Sequence, residues 1–96
     1  RVLDDNNRAV GSWDPHLDDA ALLRMLRTMA LLRAFDDRMF RAQRQGKTSF
    51  YMKSTGEEAV GIGAAFALDG EDMCFPSYRQ QGILLARGYP LVRLIN

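Results

Sequence analysis

The stretch Phe75-Pro76-Ser77-Tyr78-Arg79-Gln80-Gln81-Gly82 carries the residue types best suited to holding an anion. Met73-Cys74-Phe75 reads as a short buried strand ended by Pro76, and Ser77 then stands where it could cap a following helix over about Tyr78 to Arg87. Strand ends of α/β folds are where ligands bind, and helix N-termini offer free N–H groups and partial positive charge. Arg79 adds a forked guanidinium that matches phosphate oxygens. A phosphorylated ligand is therefore chemically reasonable here. The alternative left open by spacing alone is that Ser77 only caps and Arg79 only pairs with a nearby carboxylate.

Other motifs carry less. Gly61-Ile62-Gly63 begins like a dinucleotide fingerprint, but its sixth position is Phe66 and its glycines fall inside an expected helix. Gly56 to Gly61 has the spacing of a phosphate-binding loop yet continues Ile62-Gly63, without the lysine and hydroxyl that such a loop requires. His16 is the sole histidine and sits in an Asp-Pro segment, so neither a triad nor a metal centre assembles around it. Glu57 and Glu58 are adjacent, and adjacent helical residues diverge; Glu58, three residues after Thr55, reads as half of a capping box. Cys74 reads as a small buried hydrophobe with no basic neighbour to activate it.

Composition bounds these readings. The chain has 96 residues, 47% hydrophobic and 26% charged, which is enough for one small globular domain. A net charge of +1 gives no whole-chain attraction for nucleic acid or anionic lipid. A single cysteine rules out an internal disulfide framework and fits a reducing, intracellular setting. No run of about 18 apolar residues offers a membrane span.

The elements that must position Arg79 follow from periodicity. Residues 1–17 are polar, with Leu3, Val10 and Trp13 as scattered apolar anchors, and read as an extended N-terminal arm. From Asp18, an apolar stripe through Leu22, Leu26, Met29, Leu32, Phe35 and Met39 predicts a long helix ending near Gln45, closed by Gly46. Its polar face is rich in arginine, with Asp36 and Asp37 as acids, and at roughly 40 Å it is too long for a compact domain of this size and needs a partner surface. Residues 47–52 read as a loop or short edge strand. Thr55 opens a second helix through Leu68 whose small residues Gly61, Gly63, Ala64, Ala65 and Ala67 suit close packing. Residues 69–72 form a turn, and Pro90 opens a last helix after Gly88-Tyr89. Helices around one short strand suggest the opening of a larger α/β domain, with residues 18–96 as its beginning.

Three strings in this order, Gln45-Gly46-Lys47-Thr48-Ser49-Phe50-Tyr51-Met52, then Thr55-Gly56-Glu57-Glu58-Ala59, then Met73-Cys74-Phe75-Pro76-Ser77-Tyr78-Arg79-Gln80-Gln81, resemble the α subunits of the E1 component of 2-oxo acid dehydrogenase complexes. Gln80-Gln81 is more similar to the branched-chain members than to the pyruvate members. The resemblance covers about Leu22 to Asn96. It implies an α/β thiamine diphosphate-binding fold, a parallel sheet flanked by helices, of which this stretch is the N-terminal, mostly helical part.

The same resemblance implies an α2β2 heterotetramer with an E1 β subunit, thiamine diphosphate with Mg²⁺ at the α/β interface, decarboxylation of a 2-oxo acid, and acyl transfer to the lipoyl domain of the E2 transacylase. It implies that Tyr78 and Arg79 contact the cofactor diphosphate, that Phe50 lines the substrate channel, and that Ser77 stands near the acyl pocket. It carries over no catalytic residue and no metal ligand, because the Gly-Asp-Gly to Asn segment that binds Mg²⁺ and the active-site histidine have no counterparts here. The isolated stretch is accordingly expected to be inactive. The setting implied is bacterial cytoplasm or, in a eukaryote, the mitochondrial matrix. A competing expectation is a truncated, non-catalytic helical interaction module of the same ancestry, and a third is a stand-alone phosphate binder using Arg79.

Overall fold

The computed structural model describes residues 2–95. Its elements are three α-helices, α1 (Asp19–Arg44), α2 (Glu58–Ala67) and α3 (Gln81–Ala86), followed by a 3-10 turn, Leu91–Leu94. The long helix begins and ends where its sequence signals lie. Asp18 accepts a hydrogen bond from the Ala21 N–H at 2.6 Å, capping the first turn. At the other end Gly46 adopts φ +70, so that its N–H reaches the Gln43 carbonyl at 2.9 Å and the Lys47 N–H reaches the Ala42 carbonyl at 3.0 Å. This crossed pair satisfies the last carbonyls and needs a residue that tolerates the left-handed region, which glycine does.

The core lies where the three helices meet. Leu32 and Ile62 are essentially inaccessible, and Phe35, Met39 and Ala65 surround them. Each large side chain so buried contributes about 1.5–3 kcal/mol. Helix α3 comes close because Gly82 has no side chain: a Cβ there would stand 2.9 Å from Leu32 Cδ2 and 3.3 Å from Ile62 Cγ1. The glycines of α2 are less crowded, with Gly61 in ordinary contact with Ile83 and open space at Gly63. This is a small core for the length of chain. The N-terminal half of α1 leaves Leu22, Leu23 and Leu26 exposed, and the radius of gyration is 15.2 Å where about 12.5 Å is usual for this size. The partner surface that the length of the helix calls for is not supplied by α2 and α3.

The segment between α1 and α2 is an irregular loop clamped onto α1. Tyr51 packs edge-to-face on Phe35 with ring centroids 6.1 Å apart, and Lys53 pairs with Asp37 while lying 5.3 Å from the Phe40 ring centre. Beyond α2, the guanidinium of Arg87 donates to the carbonyls of Asp69, Gly70 and Asp72, tying the turn after α2 to the end of α3. Near the start, Leu3 and Ala9 form an isolated antiparallel bridge around a turn in which Asp4 Oδ1 accepts from the N–H groups of Asn6 and Arg8.

Four expectations about elements are corrected. Among the described residues there is no strand, and residues 73–75 run as irregular chain with Met73 80% and Phe75 86% exposed. A strand needs a hydrogen-bonding neighbour, and none lies beside this segment. The parallel sheet expected for the fold class is therefore not among the described elements, which are helical. Helix α2 starts at Glu58, with no side-chain cap from Thr55, because Gly56 at φ +91 breaks the helical path between them. Helix α3 starts at Gln81 and not near Tyr78, because Arg79 itself sits at φ +64. Ser77 consequently caps nothing. Lastly, Pro90 precedes a single 3-10 turn where an α-helix was expected.

Candidate functional site

Three of the residues singled out in the sequence come together. Ser77, Tyr78 and Arg79 line one open cleft of about 340 Å³ with Met52, Glu57 and Gln80. The cleft lies between the loop leading into α2 and the turn leading into α3, the two helices that pack together at Ile62 and Gly82. Tyr78 is 70% exposed, and the Arg79 guanidinium extends to Glu57, Nη1 to Oε1 at 3.4 Å. That contact is long and wet, worth little as a salt bridge, so an anion with better geometry can displace it. Phe50 lies outside this group; it is 68% exposed and is not among the residues lining the cleft. His16 is exposed near Asp14, away from the cleft, and Cys74 is half-buried.

The turn that carries Arg79 is built by side chains on either side of it. The Ser77 N–H donates to Gln80 Oε1 at 2.8 Å, and the Gln80 N–H returns to the Ser77 carbonyl at 3.3 Å. On the far side, Gln81 Nε2 donates to Asp36 Oδ1 at 3.0 Å and also meets the Tyr51 hydroxyl and the Met52 carbonyl. Asp36 is wholly buried, and its Oδ2 accepts from Ser54 N–H at 2.7 Å and Ser54 Oγ at 2.9 Å, while Tyr51 donates to Oδ1. An ionised carboxylate can be buried only when its lone pairs are met in this way. Burial, followed by the hydrogen bond to Asp36 and the Asp36 charge, holds the Tyr51 hydroxyl well above its ordinary value, so it remains a donor.

Sequence reasoning singled out Ser77, Tyr78 and Arg79, named Gln80 and Gln81 only as a mark of the branched-chain members, and gave no site role to the groups around them. Met52, Glu57 and Gln80 complete the lining, and Asp36 with Tyr51, Ser54 and Gln81 forms the support. A signal for Asp36 was present: Leu32, Phe35, Asp36 and Met39 share one helical stripe, which puts a carboxylate on the face that packs inward. A metal centre is a different matter. No group of three or more His, Cys, Asp or Glu side chains able to hold an ion occurs among the described residues. No helix among them is long and apolar enough to cross a membrane.

Comparison with known proteins matches this sequence to a family. The dehydrogenase E1 component family matches residues 26–96, a span that includes α2, α3, the clamped loop and every residue of the cleft. The chain is 57% identical over 95 residues to the 2-oxoisovalerate dehydrogenase subunit alpha of Pseudomonas aeruginosa, covering 99% of this chain and 23% of that protein. It is 42% identical over 92 residues to the mitochondrial 2-oxoisovalerate dehydrogenase subunit alpha of Homo sapiens, covering 95% and 21% of the two chains. The mitochondrial subunit alpha 1 of Arabidopsis thaliana is 41% identical over 97 residues, covering 100% and 21%. The chain thus spans less than a quarter of the length of these relatives. The resemblance carried by residues 45–81 is borne out: this chain belongs to the dehydrogenase E1 component family.

Proposed function

We propose that the chain forms part of the α subunit of a thiamine diphosphate-dependent 2-oxo acid dehydrogenase of the branched-chain type. In this reading residues 1–17 are an arm, residues 18–96 open the cofactor-binding domain, and a β subunit supplies the facing wall of the site. The complete enzyme decarboxylates a branched-chain 2-oxo acid and passes the acyl group to the lipoyl domain of an E2 transacylase. A bacterial cytoplasm or a mitochondrial matrix is the corresponding setting.

The observation that carries this reading is the shared cleft of Tyr78 and Arg79. Its donor set suits the diphosphate end of the cofactor: a phenol hydroxyl and a guanidinium whose existing partner, Glu57, is weakly held at 3.4 Å. Arg79 would bind and orient the diphosphate, and Tyr78 would donate a further hydrogen bond. When bound, thiamine diphosphate supplies the electron sink needed to cleave the bond to a 2-oxo acid's carboxylate. For the metal the described residues do not fit, since they hold no ligand cluster, and no step is assigned to Mg²⁺ on this chain. Phe50, exposed beside the loop, is proposed as a wall of the substrate channel, and Ser77 as a neighbour of the acyl pocket.

The test is turnover by the full-length gene product assembled with its β subunit. The expected result is decarboxylation of 2-oxoisovalerate that depends on added thiamine diphosphate. An assembled protein that leaves all branched-chain 2-oxo acids untouched in the presence of the cofactor contradicts the proposal.

A further inference from the structure

We propose that Gln81 is a positioning residue that ties the two walls of the cleft together, anchored by the buried carboxylate of Asp36; the inference rests on the cofactor reading above. One wall is Met52, on the loop clamped to α1, and the other is the turn 77–80. The single side-chain amide of Gln81 touches both sides of this division. It leaves the backbone two residues after Arg79 and reaches the Met52 carbonyl at 3.2 Å, the Tyr51 hydroxyl at 3.1 Å and Asp36 Oδ1 at 3.0 Å. Asp36 is in turn fixed in α1 at zero exposure by Ser54 and Tyr51.

The need for such an anchor is local. Arg79 holds φ +64, a region that arginine does not favour, so the turn persists only if its flanks are held. On the N-terminal flank the bonds are all within the turn, between Ser77 and Gln80. On the C-terminal flank Gln81 provides the connection to the rest of the protein that is both polar and partly buried. Among the described residues, a further polar link between the walls is the exposed Arg79–Glu57 contact, which ligand binding itself would replace. Helix packing at Gly82 fixes where α3 lies; Gln81 fixes how the residue before it enters, and so where the Arg79 guanidinium points.

A purely structural role, supplying one donor to a buried carboxylate, makes a different forecast. Ser54→Ala also removes one donor from Asp36, but on Oδ2, the oxygen that Gln81 does not reach. Gln81→Met keeps length and shape and removes only the amide. The experiment measures dissociation of thiamine diphosphate, with Mg²⁺, from the full α–β complex by fluorescence titration, together with hydrogen exchange of the amides of residues 78–81 without cofactor. Gln81→Met is expected to weaken binding about threefold to tenfold, the range set by the entropy of ordering a side chain on binding, and to speed exchange in the turn. Ser54→Ala is expected to lower stability without either effect.

Equal behaviour of the two variants, or unchanged binding and exchange in Gln81→Met, overturns the inference while leaving the cofactor reading intact. Failure of the wild-type complex to bind thiamine diphosphate sinks both, and is told apart by that control alone. If Gln81→Met does not assemble, Tyr51→Phe removes one of the amide's partners and is expected to accelerate exchange at residues 78–81; unchanged exchange there overturns the inference.

Discussion

Arg33 on α1 and Glu58 at the start of α2 hold their helices together through one carboxylate oxygen. The guanidinium Nε and Nη2 reach Glu58 Oε1 at 2.9 and 2.5 Å, while Glu58 Oε2 accepts from the Gly56 N–H at 2.8 Å. Glu58 is buried, whereas the Arg33 side chain is 61% exposed. Removing the arginine strands a buried carboxylate, but water reaches the vacated side, so Arg33→Ala is expected to cost about 1–2 kcal/mol in urea unfolding. A change under about 0.5 kcal/mol, the level of an ordinary surface pair, would show that the contact does not join the helices.

Glu58 also contributes to the acid limit, beside Asp37, whose carboxyl the Lys53 ammonium holds below its ordinary value. Burial pushes its carboxyl up, but the Arg33 hydrogen bond, the N–H groups of Glu58 and Gly56 and the Arg33 charge together hold it below its ordinary value of 4.5. The folded form binds that proton more weakly than the unfolded chain, so the stabilisation is complete above about pH 4.5 and is lost as pH falls through the lower folded value. Stability measured against pH should fall in that window, and Glu58→Gln should flatten the fall. An equally steep profile in the variant would assign the acid limit elsewhere.

Tyr51 sets an alkaline limit of opposite sign. Its hydroxyl is held above its ordinary value of 10.0, chiefly by burial and then by Asp36, so its contribution is complete below that pH and is lost as pH rises through the folded value. Tyr51→Phe should remove this alkaline component and cost about 1 kcal/mol at neutral pH, through one lost hydrogen bond to Asp36. Ultraviolet titration of phenolate against unfolding would expose an ordinary tyrosine at this position if the account is wrong.

Two glycines should respond oppositely to alanine. At Gly82 a methyl would collide with Leu32, itself fully buried, and the overpacking outweighs the gain in helix propensity, giving a net loss of about 1 kcal/mol. At Gly63 a methyl meets open space inside α2, so Gly63→Ala should stabilise by about 0.5–1 kcal/mol. Thermal unfolding of the two variants checks both signs, and destabilisation at Gly63 would reveal a covering surface on that face of α2.

Legibility in the sequence tracked how much of each element is determined locally. Helix α1 was readable to within a residue at each end because a long apolar stripe, an Asp cap and a glycine stop agree. The short elements were misread where a single residue left the helical path: Gly56 delays α2, and Arg79 delays α3. Positive φ at an arginine has no sequence signature, since the residue type does not favour it. Residues 73–75 have strand-forming types but lack a neighbour to pair with, which periodicity cannot report. In the candidate site, Arg79 was singled out by its chemistry and Tyr78 by the family resemblance, while the bonds joining Asp36, Tyr51 and Gln81 were hidden because they span 15 to 45 positions.

The central claim is that Arg79 binds the cofactor's diphosphate, and Arg79→Gly tests it while separating binding from folding. Glycine relieves the positive φ, so the variant should fold with stability within about 1 kcal/mol of wild type. The measurement is the dissociation constant of thiamine diphosphate from the assembled α–β protein, wild type beside Arg79→Gly. Loss of a charge-assisted contact predicts a weakening of about tenfold to a hundredfold. An unchanged dissociation constant in a well-folded variant would contradict the account.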